Sequence, residues 1–399
     1  MIEDIDYDPY DRTIDANPHP VWRRMRDEMP LYYNEKYNFF AVSRHEDVHR
    51  MSVDWRTFSS AKGSVLELID LPPEVFEMYK SMLFEDPPDH DLHRTILAKT
   101  FLPRRISAME SEIRTLCRQF LADIDPAHFD FVRDYASKIP MMVIGMLLGV
   151  PEADRPYLQH LADQSIRRDE GNETDVGLEG QMKSMEYFGG LVQLRRANPA
   201  DDIVTDLVQA EVDNGDGGTR KLDDGELVRY MALVSAAGNE TVTNLLGWAA
   251  MSLHRNPDQR AILVSDPSII PNAIEEFLRY EAPSPVQARL VMADVSLYGQ
   301  TVPAGSKIAM LTGSAGRDDR QYDNPDQLDV RRKFSGHVSF GHGLHFCLGA
   351  ALARLEARVA IEEFINRFPT WHVDESNSEM VHTSTVRGWS NLAMSASAV

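Results

Sequence analysis

Along most of this chain apolar residues recur every three or four positions, the spacing that places them on one side of a helix. Helix punctuation is equally frequent. Asp86-Pro87-Pro88-Asp89 opens one helix, Asp223 or Asp224 opens another that runs through Gly247 and beyond, and Asn256-Pro257-Asp258 and Asp266-Pro267-Ser268 mark the next two. The most apolar stretch, Ile139 to Val150, is bounded by Pro140 and Pro151. It is too short to span a bilayer and predicts a buried core helix. Strand signals are confined to two regions. One is Asn38 to Ser43; the other is Val295 to Leu311, where two apolar runs surround Gly299 and a second turn falls at Pro303-Ala304-Gly305. No repeat is visible, and the glycine-rich tract Asn214 to Gly218 is too short for an interdomain linker. The pattern predicts a single, mainly α domain with minor β over residues 1–399. That class serves many functions, so the site has to decide.

Composition narrows the choice. Hydrophobic residues make up 43% of the 399 and charged ones 26%, enough for a sizeable core. The net charge of -21, from 62 acids against 41 bases, argues against a nucleic-acid binder, whose footprint would be basic. It argues equally against general adhesion to an anionic membrane. Two cysteines, Cys117 and Cys347, are too few for a secreted disulfide framework and fit a reducing compartment. The opening MIEDIDYDPYDRTID has neither the basic nor the apolar region of a signal peptide, so a soluble cytoplasmic protein is expected. Cys117 shares helical spacing with Ile113, Leu116, Phe120 and Leu121 and reads as core filler.

Cys347 is different. It lies in Phe340-Gly-His-Gly-Leu-His-Phe-Cys347-Leu-Gly349, where three glycines in ten residues imply tight turns and close approach by something large and flat. A long helical run, Ala350 to Phe368, follows at once, so the thiol sits near a helix N-terminus that favours its thiolate. A thiolate so held suits a metal. For haem it is the ligand that pushes electron density toward O–O cleavage. Zinc is the rival, because His337, His342 and His345 accompany Cys347 within eleven residues. A buried structural cysteine in a glycine turn is the plainest alternative.

Phe340, Gly341, Gly343, His345, Cys347 and Gly349 match, position for position, the haem-binding loop of the cytochrome P-450 family, and the resemblance extends over essentially the whole chain. Glu276 and Arg279 share a helix face at i, i+3 and resemble the family's Glu-x-x-Arg pair, which braces the core behind the haem. Ala236-Ala237-Gly238-Asn239-Glu240-Thr241 resembles its oxygen-activation motif, with Glu in place of the more frequent Asp. A mid-helix glycine costs about 1 kcal/mol against alanine and so needs a reason; a notch for dioxygen at Ala237 and Gly238 is one, and packing against a neighbouring helix is the other. His90 and Arg94, at i, i+4, together with Arg289 and His345, resemble the positions that bind the haem carboxylates.

The resemblance implies a single-domain P-450 fold with haem b, iron protoporphyrin IX, between the oxygen-activation helix and the cysteine-loop helix. Cys347 would ligate iron, while Glu240 and Thr241 would deliver protons to the iron-bound oxygen. It implies a monooxygenase taking dioxygen and a lipophilic small molecule, its distal pocket lined by Val65 to Met82, Ser165 to Met185, Leu233 to Thr241, Val286 to Leu290, and Thr385-Val386. No flavin or nicotinamide domain and no cysteine cluster is evident, so electrons would come from a separate ferredoxin or flavodoxin and its reductase. An acidic ferredoxin-type donor is expected to dock on Lys99, Arg104, Arg105, Arg331, Arg332, Lys333, Arg354 and Arg358, bases that flank the thiolate side of an acidic protein. A haem-thiolate sensor or carrier would need Cys347 without Glu240-Thr241. A zinc-binding helical protein would need the histidines but neither Glu276/Arg279 nor the notch.

Overall fold

The computed structural model describes residues 5–77, 79–166, 178–213, 217–333, 336–383 and 385–397. Six helices position the site: α1 (His45–Val53), α2 (Asp89–Thr100), α3 (Lys138–Leu147), α4 (Asp224–Arg255), α5 (Ile270–Tyr280) and α6 (Ala350–Arg367). The 32-residue α4 is the axis of the molecule. It starts at a capping box in which the Asp223 side chain accepts from the Glu226 N–H and the Glu226 side chain accepts from the Asp223 N–H. From Val242 to Leu253 every residue of α4 is buried, so this half is packed on all sides rather than along one stripe. The apolar α3 crosses it, with Ile139, Met141, Val143, Ile144 and Leu147 in the main core, and α6 packs on the same core through Leu352, Val359, Phe364 and Ile365. Cys117 is fully enclosed there, its thiol pushed up to about 12 by burial.

Five short strands form the main sheet: β1 (Leu31–Asn34), β2 (Phe39–Val42), β3 (Phe58–Ser59), β4 (Gln287–Val291) and β5 (Lys307–Met310), in the order β1-β2-β5-β4-β3. Pairing is antiparallel except between β5 and β2, which run parallel with Ile308 opposite Phe40. Both expected strand regions are strands. The second holds a hairpin of Val295–Leu297 with Gln300–Val302, turned at Tyr298 and Gly299, both with positive φ. The C-terminal strands Thr370–Val373, Glu379–Val381, Gly388–Asn391 and Ala393–Ser397 were not expected. They are three to five residues long, and Thr370–Val373 and Ala393–Ser397 pair with each other across some twenty residues of chain. Among the described residues no helix is long and apolar enough to cross a membrane. Most of the expected pocket stretch from Ser165 to Met185 and most of the tract Asn214 to Gly218 lie outside the described residues.

Candidate functional site

The cysteine loop is held open by its glycines and closed by its backbone. Gly341 and Gly343 both have φ of 68°; the Gly341 N–H donates to the Val338 carbonyl and the Cys347 N–H to the Phe340 carbonyl, each at 2.8 Å. Ser339 Oγ donates to the Leu278 carbonyl at 2.6 Å, fixing the loop to α5. A side chain on Gly343 would lie 2.8 Å from the Ser52 carbonyl oxygen, so α1 accounts for the close approach at that position. Cys347 sits two residues before Gly349, the residue that caps α6. Burial pushes its thiol up, while the Gly349 N–H, Arg94 and Arg354 pull the other way.

Four cationic or imidazole groups gather beside this loop. His90 is buried on α2, with Nδ1 3.0 Å from Asp91 and Nε2 enclosed without a partner. Its ring lies 4.6 Å from that of His345, whose Nε2 is likewise buried and unpartnered. Arg289, 6% exposed on β4, donates to the Ala288 carbonyl at 2.7 Å. It forms no ion pair with a described residue, although Asp86 is close enough to oppose the burial that pushes its pKa down to about 10. Burial, followed by the charges of Arg289, His90 and Arg94, drives His345 down to about 3. Arg94 itself donates to the Phe346 carbonyl at 2.6 Å. Arg289 is a buried donor with a single acceptor, and the free nitrogens of His90 and His345 become donors when their rings are protonated, which an anion placed beside them would favour. An anion with several acceptor oxygens fits this cluster.

On α4 the residues facing out of the core are Leu233, Ala236, Ala237, Glu240 and Thr241, a stripe at helical spacing. Thr241 Oγ1 donates to the Ala237 carbonyl at 3.0 Å, leaving its oxygen lone pairs available. Gly238 is placed otherwise than the notch reading supposed. A Cβ there would stand 2.7 Å from Ile144 Cδ1, so its bare side serves the crossing of α4 with α3. Ala237, one residue earlier and exposed, is the small residue on the open stripe.

Behind the loop, Glu276 and Arg279 are fully buried and joined bidentately at 2.7 and 2.8 Å. Arg279 also donates to the Gly316, Pro325 and Gln327 carbonyls. Arg332 joins the same carboxylate at 3.1 Å, a role its place in a surface-like basic run did not suggest. The neighbouring Glu275 binds Arg354 at 2.7 and 2.8 Å and faces His337 at 3.2 Å. A second buried carboxylate, Glu281, collects His19, Arg317 and Arg387. No sequence signal marked it, because its partners come from both ends of the chain.

The three histidines of the loop do not converge. His337 faces Glu275, His342 lies 4.4 Å from the His49 ring, and His345 meets His90. Among the described residues no three His, Cys, Asp or Glu side chains could hold a metal ion. Comparison with known proteins is decisive. The sequence model of "Cytochrome P450" matches residues 268–390. Putative cytochrome P450 123 of Mycobacterium tuberculosis is 41% identical over 396 residues, covering 98% of this chain and 97% of its own.

This chain belongs to the cytochrome P450 family.

The structure agrees. CYP109Q5 from Chondromyces apiculatus superposes with a TM-score of 0.88 at 30% identity, covering 99% of each chain. CYP109E1 from Bacillus megaterium, solved in complex with testosterone, gives 0.87 at 28% identity, covering 96% of this chain and 99% of its own. The fold is that of a P450, the cofactor of the family is haem b, and the activity is that of a monooxygenase. The residues present fit that cofactor: a thiol at Cys347 for the iron, and beside it a buried cluster short of acceptors, matching two carboxylates.

Proposed function

We propose that this P450 holds haem b between α4 and α6, with Cys347 as the iron ligand and His90, Arg94, Arg289 and His345 on the haem carboxylates. The observation that carries this reading is the pair of buried, unpartnered imidazole nitrogens of His90 and His345, placed beside Arg289 and the cysteine loop. Phe340, Gly341 and Gly349 shape the loop, and Glu276 with Arg279 braces it from behind. Haem bound there supplies the binding and reductive activation of dioxygen, with electron density pushed from the thiolate. The chain's own part is proton handling and placement. Thr241, its hydroxyl oriented by the Ala237 carbonyl, presents its oxygen on the open stripe of α4, with Glu240 adjacent as the ionisable group behind it.

The substrate is a lipophilic small molecule. Testosterone bound to CYP109E1 is in keeping with that class. Two acids in the stretch expected to line the pocket are engaged within the chain, Asp70 with Lys307 and Glu77 with Lys80. The protein works in solution in the cytoplasm, one domain over 1–399, drawing electrons from an acidic ferredoxin-type donor and its reductase.

The docking face is narrower than the basic residues alone suggested. Arg105 pairs with Asp206, Arg332 with Glu276, Arg354 with Glu275, and Arg358 with Glu110 and Glu362. Lys99, Arg104, Arg331 and Lys333 are exposed and form no ion pair with a described residue. Exposed Leu102 and Phe346 add apolar surface to the same side.

The test uses purified holoenzyme. Reduced under carbon monoxide it should show the strongly red-shifted Soret band of thiolate ligation, and lipophilic compounds, testosterone among them, should shift the ferric spectrum. Reduction by an acidic ferredoxin should slow as salt rises, since exposed charges are screened over ~10 Å at 0.1 M. Arg104→Glu should slow it further without altering compound affinity. Thr241→Ala should keep oxidising the reductant while diverting electrons to peroxide. An unshifted carbon monoxide band would remove the thiolate assignment, and salt-independent reduction the donor.

A further inference from the structure

Away from the residues assigned to haem, a buried ionic cluster joins three parts of the chain. The turn Met82–Phe84 ends at Glu85, α2 carries His93, and α4 begins with Glu226 at its third position. His93 Nδ1 lies 2.6 Å from Glu85 Oε2, and its Nε2 lies 3.5 Å from Glu226 Oε1. Arg220, on the strand Thr219–Lys221, binds both oxygens of Glu226 at 2.7 Å. The Tyr230 ring, one turn further along α4, stands 5.4 Å from the imidazole, with its hydroxyl buried and unpartnered. Arg229 completes the charged groups around that tyrosine. The side chains of His93, Glu85 and Glu226 are 13%, 7% and 9% exposed, so water does little of the bonding.

The chemistry of the ring follows from its partners. Both nitrogens face carboxylates, which only accept, and an imidazole offers two N–H donors only when it is protonated. Two acids, Glu85 and Glu226, are then balanced by two cations, Arg220 and His93. With a neutral ring, one carboxylate would face a lone pair and the buried cluster would carry a net negative charge, which is costly. Burial alone would lower the pKa of His93, but the Glu85 contact and the charges of Glu85 and Glu226 outweigh it and raise the pKa.

What this cluster pins is the turn before α2. Phe84 packs 5.8 Å from Phe76 and, with Leu68, forms a small core separate from the main one. The Glu85 backbone carbonyl faces His345, and Asp86 accepts from Ser59 Oγ and the Ser60 N–H. Residues 82–86 are thus the junction between the loop 65–84 and the rest of the molecule.

We propose that His93 is a positioning residue, an imidazolium latch between Glu85 and Glu226 that ties the rim of the distal pocket to the start of the oxygen-activation helix. The inference rests on the proposed placement of 65–82 along that pocket. Because the pKa is raised, the latch is fully made at pH values below the ordinary histidine range and is lost as pH rises through the raised value. Glu85, Glu226, Arg220, Asp223, Arg229 and Tyr230 are the titratable or charged groups around it. Arg220 holds Glu226 ionised and is itself held charged by it, and burial keeps the Tyr230 hydroxyl protonated, leaving His93 to set the transition.

Two measurements on the ferric holoenzyme test this between pH 6 and 9. Hydrogen exchange of the 82–86 backbone, corrected for its intrinsic pH dependence, should accelerate about tenfold as His93 loses its proton. Release of 4-phenylimidazole, an azole that ligates haem iron from the distal side, should accelerate over the same interval. His93→Gln should exchange and release fast at every pH. Should that variant fold poorly, Glu85→Gln serves instead, since loss of one carboxylate should move the transition to lower pH. A His93→Gln profile with the wild-type transition, or a Glu85→Gln transition at the wild-type pH, overturns the latch. Exchange that responds to pH while azole release does not overturns the placement of this segment on the pocket and leaves the latch standing.

Discussion

Arg279 and Arg289 are both cations in the interior of one protein, 0% and 6% exposed, and their surroundings are opposites. Arg279 has a carboxylate at 2.7 Å, three backbone carbonyls and a second arginine sharing its acid. Arg289 has one carbonyl, its own neighbour's, and stands with His90 and His345, whose inner nitrogens meet nothing. A buried charge without a partner is expensive. The first group is closed because it has structural work only. The second is open on the side where the proposed haem carboxylates would supply its acceptors. Satisfaction of hydrogen bonds, more than burial or charge, separates frame from site.

The largest expected effect falls on the loop that joins the two groups. Cys347→Ser should abolish the red-shifted carbon monoxide band and monooxygenase activity, because a neutral hydroxyl cannot donate charge as a thiolate does; Cys117→Ser should leave the spectrum unchanged. Retention of both properties in the Cys347 variant would erase the distinction at its centre. Next in size, Arg279→Leu should lose about 3–5 kcal/mol on chemical denaturation, because Glu276 and three carbonyls lose their donor together. Arg289→Leu should behave in the opposite way. Without haem it should be as stable as the parent or more so, since an unpaired buried cation has gone, yet it should release haem faster to an apomyoglobin acceptor. Equal destabilisation by the two substitutions would show that both arginines are framework.

The smallest effect sharpens the closed side. Burial would raise the Glu275 pKa, but Arg354 and His337 hold it at about 2. A carboxyl depressed in the folded state contributes stability that is present above its ordinary pKa and is lost as pH falls through the depressed one. The Tm advantage of wild type over Glu275→Gln should therefore be constant above pH 5 and shrink between pH 5 and pH 2. Parallel Tm profiles would mean that the pair contributes nothing.

Residues whose signals are local could be read directly from the chain. The cysteine loop, the i, i+3 spacing of Glu276 and Arg279 and the start of the long helix at Asp223 each depend on neighbours within a few positions, and the structure places all of them as helices and turns of the kind anticipated. What escaped depends on distant partners. Gly238 is bare because of Ile144, ninety-four residues earlier. Arg358 looks like a free surface base until Glu110, 248 residues away, is found beside it. The strand Phe129–Asp130 pairs with Ala393 and Met394, which no alternation in two residues could announce.

The parallel pairing of β2 with β5 brings Phe39 opposite Lys307. During synthesis β2 leaves the ribosome long before β5 exists, and at 5–20 residues per second the wait is on the order of tens of seconds. Until then β2 has only the β1 hairpin, and two strands alone are marginal in water. Arg289 sits on the strand that closes onto β5, and Cys347 is translated later still. On the proposed assignment the haem pocket has no nascent form: the prosthetic group would meet a nearly finished chain, and a ribosome stalled before residue 300 carries an exposed, half-made sheet.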